Sequence, residues 1–313
     1  MMTRSDCARW LESHDNYCIL THRRPDGDTL GSAAALCLGL RQLGKRAWVL
    51  ENSEATDRFA FLLEGLTVTE AGEHDTLVSV DVAAPGMLPR AFEPLTERVA
   101  LRIDHHGSAT SFTPLELVDP ASASCAELVW DVLVEMGVKM DKALAEAIYV
   151  GISTDTGCFR FSNTTGHTFA AAAACAEAGG DIYRLNQEIF ETNTLSRLRM
   201  QSWIVENLKL FGDGKFAIVA IPRAVEDLIG VTEDDMDNIS NFPRTVAGVC
   251  MAATLRQTKG GDTKVSLRAV PGWDATEVCR HLGGGGHKGA AGATTSMSLA
   301  ETAKVLEDLM LKL

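Results

Sequence analysis

Residues 17–32 read YCILTHRRPDGDTLGS, and the change of texture within them decides the fold. Tyr17-Cys18-Ile19-Leu20 is a short apolar run with no alternation, the pattern of a strand buried on both faces. A polar turn rich in Pro, Asp and Gly follows. An apolar, Ala-rich stretch from about Gly31 to Leu43 is then long enough for a helix, and Gly44 closes it. Ala47-Trp48-Val49-Leu50 begins a second strand of the same kind, and TLVSVD (76–81) and VALRID (99–104) supply two more. Short apolar strands alternating with helices predict an α/β fold with a doubly wound, mainly parallel sheet.

Helical texture flanks these strands, with an amphipathic segment at 4–14 and longer ones near 121–136, 141–153, 164–179 and 181–210. The texture changes again at Phe211-Gly212-Asp213-Gly214. KFAIVAI (215–221), TVAGVCMAATL (245–255) and TKVSLRAV (263–270) read as strands, with helices near 223–229, 232–240, 274–281 and 299–311. The expected organisation is a larger α/β domain over 1–190, a helical linker over 191–213, and a smaller α/β domain with a mixed sheet over 214–313. A length of 313 residues suits two domains.

Composition limits the function before any motif is read. Forty-six per cent of the residues are hydrophobic and mean hydropathy is close to zero, which is ample for buried cores. The formal net charge is −13, from 42 acidic against 29 basic residues. Long duplex nucleic acid is held by Lys and Arg neutralising phosphates, so this chain is not expected to bind it. A nucleotide partner must be short, or held by a local basic pocket and cations. The eight cysteines include no C-x-x-C pair and lie mostly in apolar runs, as buried free thiols do. MMTRSDCARWLESHDN lacks the apolar core of a secretory signal, and no stretch approaches a membrane span of roughly 18 apolar residues. A cytoplasmic location and no membrane partner are expected.

Ligands of open parallel sheets bind beyond the carboxyl ends of the strands, and here those ends carry carboxylates and imidazoles. The first strand runs into His22-x-x-x-Asp26-x-Asp28, the third ends at Asp81, and the fourth at Asp104-His105-His106. Asp155 sits in GISTDTG just past a helix. One Asp at a strand end is usually a turn former or cap. Four acidic segments converging on one sheet edge would repel strongly unless cations neutralise them. Oxygen and imidazole donors without cysteine favour Mn²⁺ or Mg²⁺, with Zn²⁺ or Co²⁺ as alternatives. The helix opening at Gly31-Ser32 is expected to aim its positive end at the same place.

HRRPDGDTLGS, VSVD, IDHH and GISTDTGCFRFSNT together resemble the four motifs of the DHH phosphoesterase superfamily. VSLRA with GGGGHKGAAG resembles the glycine-rich signature of the DHH-associated C-terminal domain. The resemblance covers essentially the whole chain and is most similar to the bifunctional oligoribonuclease and 3′-phosphoadenosine 5′-phosphate (PAP) phosphatase type. It implies a two-metal hydrolase in which His22, Asp26 and Asp81 hold one ion and Asp28, Asp81, His105 and Asp155 hold the other, with Asp81 shared. It also implies that Asp104 orients His105 and that His106 faces the substrate phosphate. Arg160, Arg268, Gly284, Gly285, Gly286 and His287 are then candidates for substrate binding, the glycines as a loop whose backbone N–H groups take phosphate. Arg23 and Arg24 stand where the family motif commonly has small or polar residues. The implied substrates are short RNA oligonucleotides and PAP; a phosphodiesterase for cyclic di-AMP and its linear product pApA shares the layout. A non-catalytic nucleotide-binding protein would be expected to have lost a metal ligand, and every motif position is present. Members of this layout are often homodimers.

Overall fold

The computed structural model describes residues 2–107 and 109–313, which divide into two compact units, one ending at Thr192 and the other running from Asn193 to Leu313. The first unit contains α1 (Arg4–Ser13), β1 (Tyr17–Leu20), α2 (Gly27–Gln42), β2 (Ala47–Leu50), β3 (Thr67–Val68), β4 (Thr76–Val80), β5 (Val99–Asp104) and β6 (Leu115–Val118). It continues with α3 (Cys125–Glu135), α4 (Lys142–Asp155), α5 (Gly166–Glu177) and α6 (Ile182–Asn186). The strands form one sheet in the order β3-β2-β1-β4-β5-β6, and every pairing is parallel. Chain order reverses between β1 and β4, so the crevice of a doubly wound sheet opens above the ends of those strands. The expected fold class is the one observed.

Burial explains why these segments are strands and helices. β1 is buried throughout, and the apolar side chains of β5 pack into two separate cores, one on each face of the sheet. α2 is buried along most of its length, wedged among α3, α4 and the sheet. It begins four residues earlier than expected, because the Asp26 carboxylate accepts the backbone N–H of Asp28 and of Thr29, each at 3.1 Å. An Asp in that place nucleates the first turn. The helix end therefore lies at Gly27, with Asp28 inside its first turn, rather than at Gly31-Ser32.

The second unit contains α7 (Leu195–Asn207), β7 (Lys209–Phe211), β8 (Phe216–Ile221), α8 (Arg223–Ile229), β9 (Met251–Gln257) and β10 (Thr263–Ala269). It closes with α9 (Ala275–Arg280), β11 (Gly285–His287), β12 (Ala290–Thr295) and α10 (Leu299–Met310). Its sheet runs β11-β12-β10-β9-β8-β7, with β8 and β9 parallel and the other neighbours antiparallel, the expected mixed sheet. Met200 and Ile204 of α7 pack with Val219, Ile221, Met236 and Ile239 inside this unit, so much of the stretch expected as linker is part of its core. The helix expected near 232–240 is instead turns and a 3-10 segment, with Asn238 in the left-handed region at φ 54°.

Candidate metal centre

The first unit brings the predicted donors together. His22, Asp26 and Asp81 offer atoms all within 4.8 Å of one another; so do Asp28, His105 and Asp155, and so do Asp81, His105 and His106. Asp81 takes part in two of these groups and is the shared carboxylate. It sits one residue beyond β4 at φ 59°, a conformation that Asp tolerates better than most residues. Its own N–H donates to the carbonyl of Ile103 on β5, which ties that turn to the strand carrying Asp104.

Each imidazole is oriented by a bond at its Nδ1. His22 Nδ1 lies 2.8 Å from the carbonyl of Arg23, so its Nε2 faces Asp81 Oδ2 at 3.5 Å. His105 Nδ1 lies 3.4 Å from the carbonyl of Ser122, and its Nε2 stands 3.4 Å from Asp155, 3.6 Å from Asp81 and 3.7 Å from Asp28. His106 Nδ1 lies 2.8 Å from Asp104 Oδ1, which also accepts the His106 N–H at 3.2 Å. Asp104 was expected to orient His105; the structure pairs it with His106. The reason is local: a carboxylate at the end of a strand closes a short ring with the residue two positions on.

Asp28 is held more firmly than its motif suggested. The N-terminus of α3 supplies two backbone donors, Cys125 N–H at 2.7 Å and Ala126 N–H at 2.9 Å, and Ser32 adds a longer bond at 3.4 Å. Asp155 is the last residue of α4 rather than a residue past it. Asn163 donates to its carbonyl at 3.2 Å and to that of Ala123 at 2.8 Å, joining the two segments that flank His105. Thr29 is fully buried among the donors, its hydroxyl 2.5 Å from His22 Nε2, 2.6 Å from Asp81 Oδ2 and 3.2 Å from Asp26 Oδ1. Sequence reading gave no role to Thr29, Asn163 or the start of α3. Only the hydroxyl in DGDT and the Ser-Cys-Ala step before an apolar run hinted at them.

The electrostatics are those of a cluster that could hold a cation. Burial, then the neighbouring carboxylates, push Asp28 well above the usual carboxylate range. Burial is also the main cause that lifts Asp155 to about 7. Burial opposes the charge of Asp81 too, but the hydrogen bond and charge of His22, with His105 and His106, hold it below its ordinary value. The bond to Asp104 raises His106 to about 9. Asp81 Oδ1 is buried without a hydrogen-bond partner, although 3.5 Å from His106 Nδ1 and 3.6 Å from His105 Nε2. A buried anionic oxygen aimed into oxygen and imidazole donors fits a divalent ion.

The remaining predicted residues are not part of this cluster. Arg23 and Arg24 are exposed, and the exposed Arg160 donates through Nε to the carbonyl of Gly157 at 2.5 Å. In the second unit, a groove of about 630 Å³ is lined by residues that include Lys264, Ser266, Arg268, Gly284 and Gly285. Arg268 Nε donates to Asn241 at 3.0 Å; burial and the nearby Arg244 lower its pKa, and no carboxylate pairs with it among the described contacts. Gly285, Gly286 and His287 form the edge strand β11 instead of the open loop expected. A Cβ on Gly284 would collide with Gly292 and Ala293, and one on Gly286 would lie 2.5 Å from the carbonyl of Ala290. The close backbone approach that these glycines permit is therefore made, in the first place, to β12. His287 is exposed at the end of that strand.

Comparison with known proteins agrees with this geometry. Residues 16–152 match the N-terminal domain of the DHH family, and residues 215–312 match the DHHA1 domain. The bifunctional oligoribonuclease and PAP phosphatase NrnA of Thermus thermophilus is 33% identical over 278 residues, covering 88% of this chain and 83% of that protein. An exopolyphosphatase-related protein from Bacteroides fragilis has the same fold, with a TM-score of 0.89 at 24% identity over 99% of this chain and 98% of that one. RecJ of Thermus thermophilus in complex with Mn²⁺ shares the fold more distantly, with a TM-score of 0.58 at 16% identity over 97% of this chain and 54% of RecJ. With the donors gathered at the sheet edge and both domains matched in order, this chain belongs to the DHH family of phosphoesterases.

Proposed function

We propose that this protein hydrolyses short RNA oligonucleotides to mononucleotides and removes the 3′-phosphate of PAP, using two divalent ions with Mn²⁺ preferred. The observation that carries the proposal is Asp81 Oδ1, buried without a hydrogen-bond partner amid donors that follow β1, β4 and β5 or lie on α2 and α4. His22, Asp26 and Asp81 would hold one ion, and Asp28, Asp81, His105 and Asp155 the other. Bound there, the ions would activate water and offset charge at phosphorus. The name of the Thermus relative and the Mn²⁺ of RecJ support this reading of substrate and metal.

The protein groups have separate tasks. Asp104 engages His106 Nδ1, so the opposite nitrogen is the one available to the phosphate, where its N–H stabilises charge or protonates the leaving oxygen. Arg268 and Lys264 in the second unit, without carboxylates on the groove lining, suit a phosphate or other anionic group. The acidic surface as a whole disfavours long polymers.

The test is hydrolysis of 5′-labelled dinucleotides, PAP and cyclic di-AMP side by side, with Mn²⁺ and with EDTA. Cleavage of the dinucleotide and of PAP with Mn²⁺, and none with EDTA, is expected. Cleavage of the cyclic dinucleotide alone replaces the substrate assignment, and no cleavage of any substrate with metal rejects the catalytic reading. Asp81→Ala is expected to reduce kcat/KM by about 10³-fold or more, because it removes the shared ligand. Near-native turnover in that variant rejects the two-ion site.

A further inference from the structure

Arg102 is 1% exposed and the largest fully buried side chain among the described residues, yet it lies on β5, where every residue before the terminal Asp104 is otherwise apolar. Removing a guanidinium from water is costly, and a well-packed apolar residue of similar volume is commonly as stable or more so. The stability of the sheet therefore does not account for it; its contacts do. Arg102 Nη1 donates to two carbonyls, Ala83 at 3.1 Å and Thr110 at 3.0 Å. Ala83 is two residues after Asp81, and Thr110 is four residues after His106. The Ala83 carbonyl also accepts the Thr110 N–H at 2.7 Å, so Arg102 sits at the crossing of the two turns that leave β4 and β5.

The other end of the guanidinium grips the same returning chain. Nη2 lies 3.1 Å from Glu116 Oε2, and Glu116 Oε1 accepts the N–H groups of Phe112 at 3.1 Å and Thr113 at 3.4 Å. The Phe112 ring lies over the guanidinium, 5.2 Å from its carbon. Nη1 also faces Asp104 Oδ2 at 3.9 Å, on the carboxylate that orients His106. One planar cation thus spans both walls of the turn that begins at His106, a geometry a lysine cannot reproduce.

We propose that Arg102 is a positioning residue for catalysis: it holds Thr110, Phe112 and, through Glu116, Thr113 against the Asp81–Ala83 turn and so fixes His106 relative to the substrate phosphate. It touches none of the proposed metal donors; its one approach to the site is to Asp104, the partner of His106. This role rests on the assignment of His106 to the phosphate.

The test compares Arg102→Met, Arg102→Lys and His106→Asn in the full chain, reading kcat and KM on a Mn²⁺-dependent dinucleotide assay, Mn²⁺ affinity by calorimetry, and thermal unfolding. Arg102→Met is expected to lower kcat by about tenfold or more while KM and Mn²⁺ affinity change by less than about threefold, the pattern of a lost transition-state contact. Arg102→Lys, which keeps the charge and reaches one carbonyl, is expected to recover part of kcat. Native kcat in folded Arg102→Met overturns the proposal, as does a fall in Mn²⁺ affinity that parallels the loss of kcat, since that places the damage in the metal cluster. If Arg102→Met does not fold, Arg102→Lys and Phe112→Leu decide: both must lower kcat with KM unchanged, and native values in both overturn it. Native kcat in His106→Asn is a different failure, because it removes the role of His106 itself and leaves Arg102 nothing to position.

Discussion

The hydroxyl of Thr29 shows how a small residue can set the geometry of a charged site. It lies 2.6 Å from Asp81 Oδ2 and 2.5 Å from His22 Nε2, so one oxygen bridges the two side chains. His22 and Asp81, which the proposed site shares through one ion, are thereby held at mutual reach before any ion binds. Thr29→Val keeps the shape and removes the link. The expected result is a loss of Mn²⁺ affinity of about 10-fold or more, the usual effect of removing a group that orients ligands. Calorimetric titration checks this, and unchanged affinity shows that the sheet alone fixes His22 and Asp81. The donors themselves were legible in the sequence because chemistry repeats their types at strand ends. Thr29 was not, since a threonine in the first turn of a helix reads as ordinary and only the folded chain shows what its hydroxyl meets.

At the scale of elements, the site depends on how closely α2 can approach α4. Gly31 makes that approach possible: a Cβ there would lie 2.5 Å from the carbonyl of Ala147 and 2.9 Å from the nitrogen of Gly151. Gly151 is crowded in turn by Ala126 of α3 and has Asp28 Oδ1 only 3.0 Å from where its own Cβ would be. Both donors carried by helices, Asp28 and Asp155, thus ride on one backbone-to-backbone contact. Gly31→Ala is expected to cost about 1–3 kcal/mol of stability through overpacking and to lower kcat/KM as α2 and α4 separate. Chemical denaturation and the Mn²⁺ assay read the two effects, and native values for both refute the contact's importance. Sequence reading placed β1, β2 and β5 to the residue because buried parallel strands are continuous apolar runs. It failed where tertiary contacts decide. The helix expected over 181–210 breaks into α6, a π-helical turn at 187–191 and α7, with the cap of α7 supplied by Thr194. The last two of the four glycines became part of a strand through pairing with β12, which no local pattern announces.

For the whole molecule, the net charge of −13 and the gathering of buried carboxylates beneath one sheet edge act in the same direction. Both raise the energy of the folded state, and a divalent ion relieves both. An ion that binds only the folded chain stabilises it by RT ln(1 + [L]/Kd), about 2.7 kcal/mol per site at a hundredfold excess over Kd. Mn²⁺ is therefore expected to raise the melting temperature and EDTA to lower it, with a smaller effect in Asp81→Ala. The effect should also be local. All the donors belong to the first unit, while the core of the second is built from β8, β9, β10 and their helices. Hydrogen exchange with and without Mn²⁺ distinguishes a site from general screening of negative charge. Binding at the cluster slows exchange at the turn of Asp81, whose N–H is bonded to Ile103, and at Cys125 and Ala126, whose N–H groups hold Asp28. Amides of β8 to β10 should be unchanged at the same Mn²⁺ concentration. Uniform slowing across both units, or the same slowing with Na⁺ at equal ionic strength, would mean that screening alone stabilises the chain and that the cluster is not where the ion acts.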